Sequence, residues 1–124
     1  MQYTNITGSQ IIEQVRLLAQ ERPDHVYRKR GAGRSCGYAG DAIGSTRGEG
    51  CIIGQALMRL GVRMSDLVSL EGVVSSALPK LGIHRYDADE RNWMSSVQRS
   101  QDTETPWGRS VKAADFLVDL RASA

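Results

Sequence analysis

Glycine is concentrated in one part of this chain, where residues 31–54 hold eight of its 13 glycines. Because glycine loses more backbone entropy on ordering than any other residue, a segment this rich in it does not form a stable helix or a long strand. Irregular stretches longer than about 15 residues are uncommon in compact domains and tend to be functional or disordered. The sequence therefore predicts an irregular insertion here, and this insertion is the first candidate for a functional site.

Outside the glycine-rich stretch, apolar residues recur at helical spacing. A chain of 124 residues has the usual size of one domain. We therefore expect residues 1–124 to form a single, mainly α domain: a helical bundle of about five helices with a small β-hairpin or glycine-rich irregular insertion. An α+β fold is the alternative. The predicted segments are helices over 9–21, 51–61, 65–82 (a short helix, then a second helix or turn), 87–101 and 105–122, and a hairpin that pairs 25–30 with 35–39.

Residues with known preferences for helix ends lie at the borders of these segments. Small polar residues cap helix starts, and glycine takes the left-handed conformation that closes a helix. Proline stops a helix that precedes it and fits the first turn of a helix that follows. The signals are Ser9 or Thr7 at the first start, Pro23 at the first stop, Gly61 after the second helix, Asp87 with Glu90 as a capping box, and Thr105 as a cap before Pro106.

The largest apolar side chains predict the core. Trp93 and Trp107 are expected to anchor two helices on either side of the turn at 101–105. Gly54 lies inside a predicted helix, where it costs about 1 kcal/mol relative to alanine, and close contact with another element would explain it. In the last helix the apolar stripe consists of Trp107, Val111, Ala114 and Val118, widened by Leu117.

Positive charge is concentrated in the same region as the glycines. Residues 22–47 carry six basic and two acidic side chains, although the net charge of the whole chain is only +2. Backbone N–H groups left open by glycine, together with arginine side chains, are typical of anion sites. We therefore treat residues 28–50 as a basic glycine-rich loop that binds a ligand or partner. Its predicted binding residues are Arg28, Lys29, Arg30, Gly31, Gly33, Arg34, Tyr38 and Arg47.

A phosphorylated ligand would suit this loop, which ends where a helix is predicted to begin. Neither glycine motif for phosphate is complete, however. Gly50 is followed by Cys51 rather than by lysine, and the dinucleotide pattern that starts at Gly31 would need glycine at Cys36. Tyr27 and Tyr38 flank the basic run as candidates for base stacking. Nucleic acid is the weaker partner, because the charge is local and aromatic residues make up only 6% of the chain.

Two cysteines and two histidines limit the catalytic and metal chemistry. The chain begins without a secretory signal, so we expect a cytoplasmic protein in which Cys36 and Cys51 are reduced. Cys51 lies at a predicted helix start, which favours a thiolate, and His84 or His25 would then be the base. The alternative is that Cys51 packs as a small hydrophobic residue. Structural zinc ligands come in close pairs that this chain lacks, so we expect no metal and no cofactor.

Two stretches together resemble small uncharacterised proteins of actinobacteria and their phages: GCIIGQALMRLGV (50–62) and QDTETPWGRSV (101–111). The resemblance implies a phage or mobile-element origin and carries no particular activity with it. The matching positions are Cys51, Ile53, Gly54, Ala56, Leu57, Leu60 and Gly61 in the first stretch, and Gln101, Asp102, Pro106, Trp107, Gly108 and Val111 in the second.

These observations leave three hypotheses for function. The first is a non-enzymatic phage or mobile-element accessory protein that binds a host protein or associates with its own copies. The second is a binder of a phosphorylated ligand, such as a nucleotide, a cyclic nucleotide or a nucleic-acid backbone, through the basic glycine-rich loop. The third is a cysteine-dependent enzyme that uses Cys51. No apolar run approaches the roughly 18 residues of a membrane span, so we expect no membrane partner.

Overall fold

The structure is a computed structural model that describes residues 3–27, 38, 50–68, 70 and 72–120. Within these ranges the regular secondary structure is helical, apart from an isolated bridge between Thr7 and Arg85. The predicted mainly α fold is confirmed. None of the helices in these ranges is long and apolar enough to cross a membrane. The helices are α1 (Gly8–Glu21), α2 (Ile52–Arg59), α3 (Met64–Leu67), α4 (Val74–Lys80), α5 (Ala88–Asp102) and α6 (Trp107–Leu117).

Most of the predicted helix ends are confirmed. Thr7 caps α1 in a capping box with Gln10, and Asp87 with Glu90 forms the same arrangement at α5. Gly61 follows α2 with a φ of 98°, a conformation that other residues rarely adopt. Each of these ends depends on residues close together in sequence, which explains why sequence reasoning located them.

The prediction for α6 was wrong at both ends. The helix starts at Trp107 with Pro106 as its N-cap, so Thr105 is not the cap, and it ends at Leu117 rather than at residue 122. Leu117 does not widen the buried stripe either, because it is 67% exposed. The start differs because groups from a distant part of the chain satisfy its N–H groups.

Those groups are carbonyls that follow α1. The N–H of Trp107 donates to the carbonyl of His25, and the N–H of Gly108 donates to the carbonyl of Pro23, both at 2.9 Å. A Cβ at Gly108 would lie 3.1 Å from the Pro23 carbonyl oxygen, so glycine allows this approach. The two bonds fix the start of α6 against the end of α1.

Helix α5 lies at the centre of the fold and contacts α1, α2, α4 and α6. Trp93 on α5 and Trp107 on α6 are both fully buried, which confirms them as core anchors. The Trp107 ring is buried by packing, but its indole N–H has no hydrogen-bond acceptor among the described residues. The described core also includes Ile11, Val15, Ile52, Ile53, Leu57, Val74, Leu78, Ile83, Met94 and Val97.

Two buried glutamines of α5 act as acceptors for the starts of other helices. Gln98 is 3% exposed, and its Oε1 accepts from the N–H of Val74, the first residue of α4, at 2.9 Å. The Oε1 of the fully buried Gln101 lies 3.4 Å from the N–H of Ile52, the first residue of α2. N–H groups in the first turn of a helix have no acceptor within that helix. Both glutamines therefore replace the missing acceptors and tie α2 and α4 to α5.

We expect Gln98→Ala to lower the free energy of unfolding by about 2–3 kcal/mol. The substitution removes the acceptor of the buried Val74 N–H and the donor to the Tyr38 hydroxyl, which lies 2.7 Å from Nε2. Urea denaturation followed by circular dichroism measures the change. Arg99→Ala, at the exposed neighbouring position, is the control and should cost less than about 0.5 kcal/mol. Equal losses in the two variants would contradict the role given to Gln98.

Candidate functional site

Most of the predicted binding residues lie outside the described residues: Arg28, Lys29, Arg30, Gly31, Gly33, Arg34 and Arg47. Most of the predicted hairpin lies outside them as well. The structure describes the chain up to residue 27, at residue 38 and again from residue 50. Tyr27, Tyr38 and Gly50 are all buried there.

Tyr38 is a residue of the core, and its assignment as a ligand-stacking residue is not supported. The ring is 1% exposed, and its hydroxyl donates to the carbonyl of Gly72 at 2.8 Å while it accepts from Nε2 of Gln98. Burial raises the pKa of this hydroxyl well above its ordinary value, which keeps it neutral. With its ring covered and its hydroxyl bonded twice, Tyr38 fastens the chain to the core.

The same tyrosine explains Gly54. A Cβ at position 54 would lie 2.0 Å from the carbonyl oxygen of Tyr38, which leaves no room for any side chain. The sequence predicted a close contact at this glycine, and the contact is with the backbone of Tyr38. Nearby, the Nε2 of Gln55 donates to the carbonyl of Gly50 at 2.9 Å. The first turn of α2 therefore lies against the backbone of Tyr38 and donates a side-chain hydrogen bond to Gly50.

Cys51 corrects the prediction of reduced cysteines. It is the N-cap of α2 and fully buried, as the packing alternative predicted, but it is disulfide-bonded. The prediction was wrong because it depended on an assumed compartment rather than on geometry; the other cysteine, Cys36, lies outside the described residues. A sulfur in a disulfide offers no thiolate, and the candidate base His84 is on the surface. These positions give no support to catalysis by Cys51.

The described ranges contain no group of three or more histidine, cysteine, aspartate or glutamate side chains that could hold a metal ion. His25, one of the two histidines, packs edge-on against the Trp107 ring with the centroids 4.4 Å apart, and its Nδ1 lies 2.9 Å from the guanidinium of Arg22. His25 therefore helps to seat α6.

The surface of α6 presents an apolar end beside two cations. Phe116 is 90% exposed and Leu117 is 67% exposed. Residues three, four and seven positions apart lie on one side of a helix, so Arg109 and Lys112 share a face with Phe116. Both cations are exposed. We define the outer face of α6 as Arg109, Lys112, Ala113, Phe116 and Leu117.

An ion pair at the end of α6 sets the direction of this face. The Asp115 carboxylate accepts two hydrogen bonds from the Arg16 guanidinium on α1, at 2.7 and 2.8 Å, and one from the indole N–H of Trp93 on α5, at 2.9 Å. Arg16 also lies over the Trp93 ring, 4.9 Å from its centroid. These bonds, led by those from Arg16, lower the pKa of Asp115. Residue 115 thus faces the protein, and residue 116 faces away.

Sequence reasoning missed the outer face of α6 because it searched this helix for its buried stripe. A signal was nevertheless present. Phe116 is about half a turn away from Trp107 on a helical projection, so it lies opposite the stripe. A large aromatic residue in that position, beside Arg109 and Lys112, could have been identified from the spacing alone.

Comparisons of this chain with protein-family models, with curated proteins and with solved structures find no match. The geometry of the described residues is therefore the basis for the function proposed below.

We expect Asp115→Asn to lower the free energy of unfolding by about 1 kcal/mol at neutral pH, since the ion pair is partly exposed to solvent. The folded-state pKa of Asp115 lies below its ordinary value of 3.8. The carboxylate therefore stabilises the fold above that value and loses its contribution as the pH falls through the lower, folded pKa.

The difference between the wild type and Asp115→Asn should accordingly shrink as the pH falls from about 5 to about 2. Urea denaturation at a series of pH values measures it. Glu13→Gln, which alters an exposed carboxylate of α1 outside the ion pair, is the control. A difference that is constant with pH would show that Asp115 acts through packing rather than charge.

Proposed function

We propose that this chain is a non-enzymatic accessory protein, of phage or mobile-element origin, that acts by binding another protein through the outer face of α6. The observation that carries the proposal is the 90% exposure of Phe116 on a helix held firmly at both ends. Trp107 and Gly108 hold its start, and Asp115 holds its end. The resemblance to phage proteins supports the origin.

The energetics of Phe116 favour a binding role. Burying a phenylalanine side chain is worth about 1.5–3 kcal/mol, and here the fold gains almost none of it. Aromatic and arginine side chains supply much of the affinity of protein interfaces. Val118 and Leu120, which follow in the chain, pack partly against the core, so over residues 115–120 the large exposed apolar side chains are those of Phe116 and Leu117. A rigid helix that presents an aromatic anchor needs little reordering to bind.

A displayed library of random peptides tests the proposal without a known partner. Peptides are selected on the wild type and then measured against Phe116→Ser/Leu117→Ser. Both side chains are exposed, so we expect this variant to keep its melting temperature and lose the selected peptides. Val73→Ser, which removes an apolar side chain that is 51% exposed elsewhere, is the matched control and should retain them. Selection of no common peptide pattern, or unchanged binding by the double variant, would refute the proposal.

We also propose, as a second candidate, that the basic glycine-rich loop binds a phosphorylated ligand. Its support is the charge of the loop together with the burial of Tyr27, Tyr38 and Gly50, which tie the chain to the core around the basic residues. Anchored chain ends reduce the entropy that a loop loses when it closes on an anion.

Thermal melting with a panel of nucleotides and cyclic nucleotides tests this second candidate. A nucleotide at 100 times its Kd stabilises the fold by about 2.7 kcal/mol. We expect at least one nucleotide to raise the melting temperature of the wild type and not that of Arg28→Ala/Arg30→Ala. Arg91→Ala/Arg99→Ala removes the same charge from α5 and should keep the response. Equal responses from the two double variants, or none from the wild type, would contradict it.

A further inference from the structure

We propose that the partner of the outer face of α6 is an acidic amphipathic peptide segment, in which carboxylates lie beside an apolar side chain that covers Phe116. The inference rests on the proposed function and specifies the chemistry of its partner. It comes from the two cations that share the face with Phe116.

Arg109 and Lys112 precede Phe116 by seven and four residues. With a rise of 1.5 Å per residue, they lie about 10 and about 6 Å from it along the helix axis. On a partner helix docked against this face, carboxylates one and two turns away from an apolar anchor lie at about the same distances from that anchor. One short amphipathic segment can therefore contact all three side chains at once.

Neither cation is neutralised by a residue in the described part of the chain. No hydrogen bond or ion pair joins Arg109 or Lys112 to another residue that the structure describes. The neighbouring arginine Arg16 is committed to Asp115, and Arg59 on α2 is committed to Glu21. An acidic segment would gain these two contacts without breaking an existing ion pair, and unpaired interface charges of one sign select a partner of the opposite sign.

The exposed apolar area argues for a short segment instead of a second copy of this chain. An aromatic side chain buries about 150–250 Å², and Phe116 is the only aromatic on this face. A stable dimer needs about 800 Å² from each copy. The apolar stripe of α6 is buried against α1 and α5 and adds nothing. A two-fold pairing of the face would also bring its cations close to the same cations of the second chain, and like charges repel each other.

The same geometry disfavours a membrane surface. Interfacial helices bury a broad apolar face between rows of cations. Here the broad apolar face of α6 already belongs to the core, and only Phe116 and Leu117 remain. The experiment below compares anionic lipid with the acidic peptide to distinguish these two partners.

Two synthetic amphipathic peptides with one shared leucine pattern test the inference, one with glutamate and the other with lysine at the flanking positions. Fluorescence anisotropy measures their binding to the full chain at about 0.05 M and about 0.5 M NaCl. At the lower salt concentration we expect the acidic peptide to bind about tenfold more tightly than the lysine peptide. We expect Arg109→Glu/Lys112→Glu to reverse the preference and Phe116→Ser to abolish binding of both peptides.

Arg91→Glu/Arg99→Glu changes the net charge equally on α5 and should leave the preference intact, which separates a local contact from long-range attraction. Arg109→Lys/Lys112→Arg should retain it. Equal binding of the two peptides that still depends on Phe116 would overturn the acidic partner and leave the proposed function standing. Binding that is independent of Phe116 would overturn both. Self-association in sedimentation, or a preference for phosphatidylserine vesicles over the acidic peptide, would also overturn the inference.

Discussion

The fold depends on hydrogen bonds between helix starts and acceptors from other parts of the chain. The first N–H groups of α2 and α4 are directed at the side chains of Gln101 and Gln98, and those of α6 at carbonyls that follow α1. A buried N–H without an acceptor costs about 1–3 kcal/mol. Each helix start is therefore favoured in the position where its N–H groups meet an acceptor. Apolar packing is not directional, and these bonds supply the positions that packing alone would leave open.

This constraint links the core to the surface proposed for binding. The two carbonyl acceptors hold the start of α6, while Asp115, bonded to Arg16 and Trp93, fixes its rotation near the end. With the position and rotation of the helix both set, Phe116 has no route into the core and stays exposed. The binding face is thus a product of the polar contacts beneath it.

The sequence predicted what depends on neighbours in the chain. Periodicity located the helices, and the capping boxes at Thr7 and Asp87 and the glycine at 61 marked their ends. The sequence did not predict hydrogen-bond acceptors that come from residues distant in the chain. Pro23 looked like a stop signal for α1, and nothing local shows that its carbonyl also receives the N–H of Gly108.

The candidate site divides in the same way. The basic run of the glycine-rich loop is visible in the sequence, but the burial of Tyr38 against Gly54, Gly72 and Gln98 is not, because those contacts join residues 16 to 60 positions apart. The disulfide at Cys51 was missed since the thiol state was inferred from a compartment. The outer face of α6 was within reach of a helical projection, as Phe116 lies opposite the buried stripe.

Native-state hydrogen exchange tests the central claim most directly, because it reads the individual N–H groups at the helix starts. If remote acceptors hold these helices in place, the amides of Val74, Trp107 and Gly108 exchange only when the whole protein unfolds. Their exchange free energies should then equal the free energy of unfolding from urea denaturation and fall with urea at the same slope. Exchange of these amides at a much lower free energy, independent of urea, would show that the helix starts open by local fraying and would contradict the account.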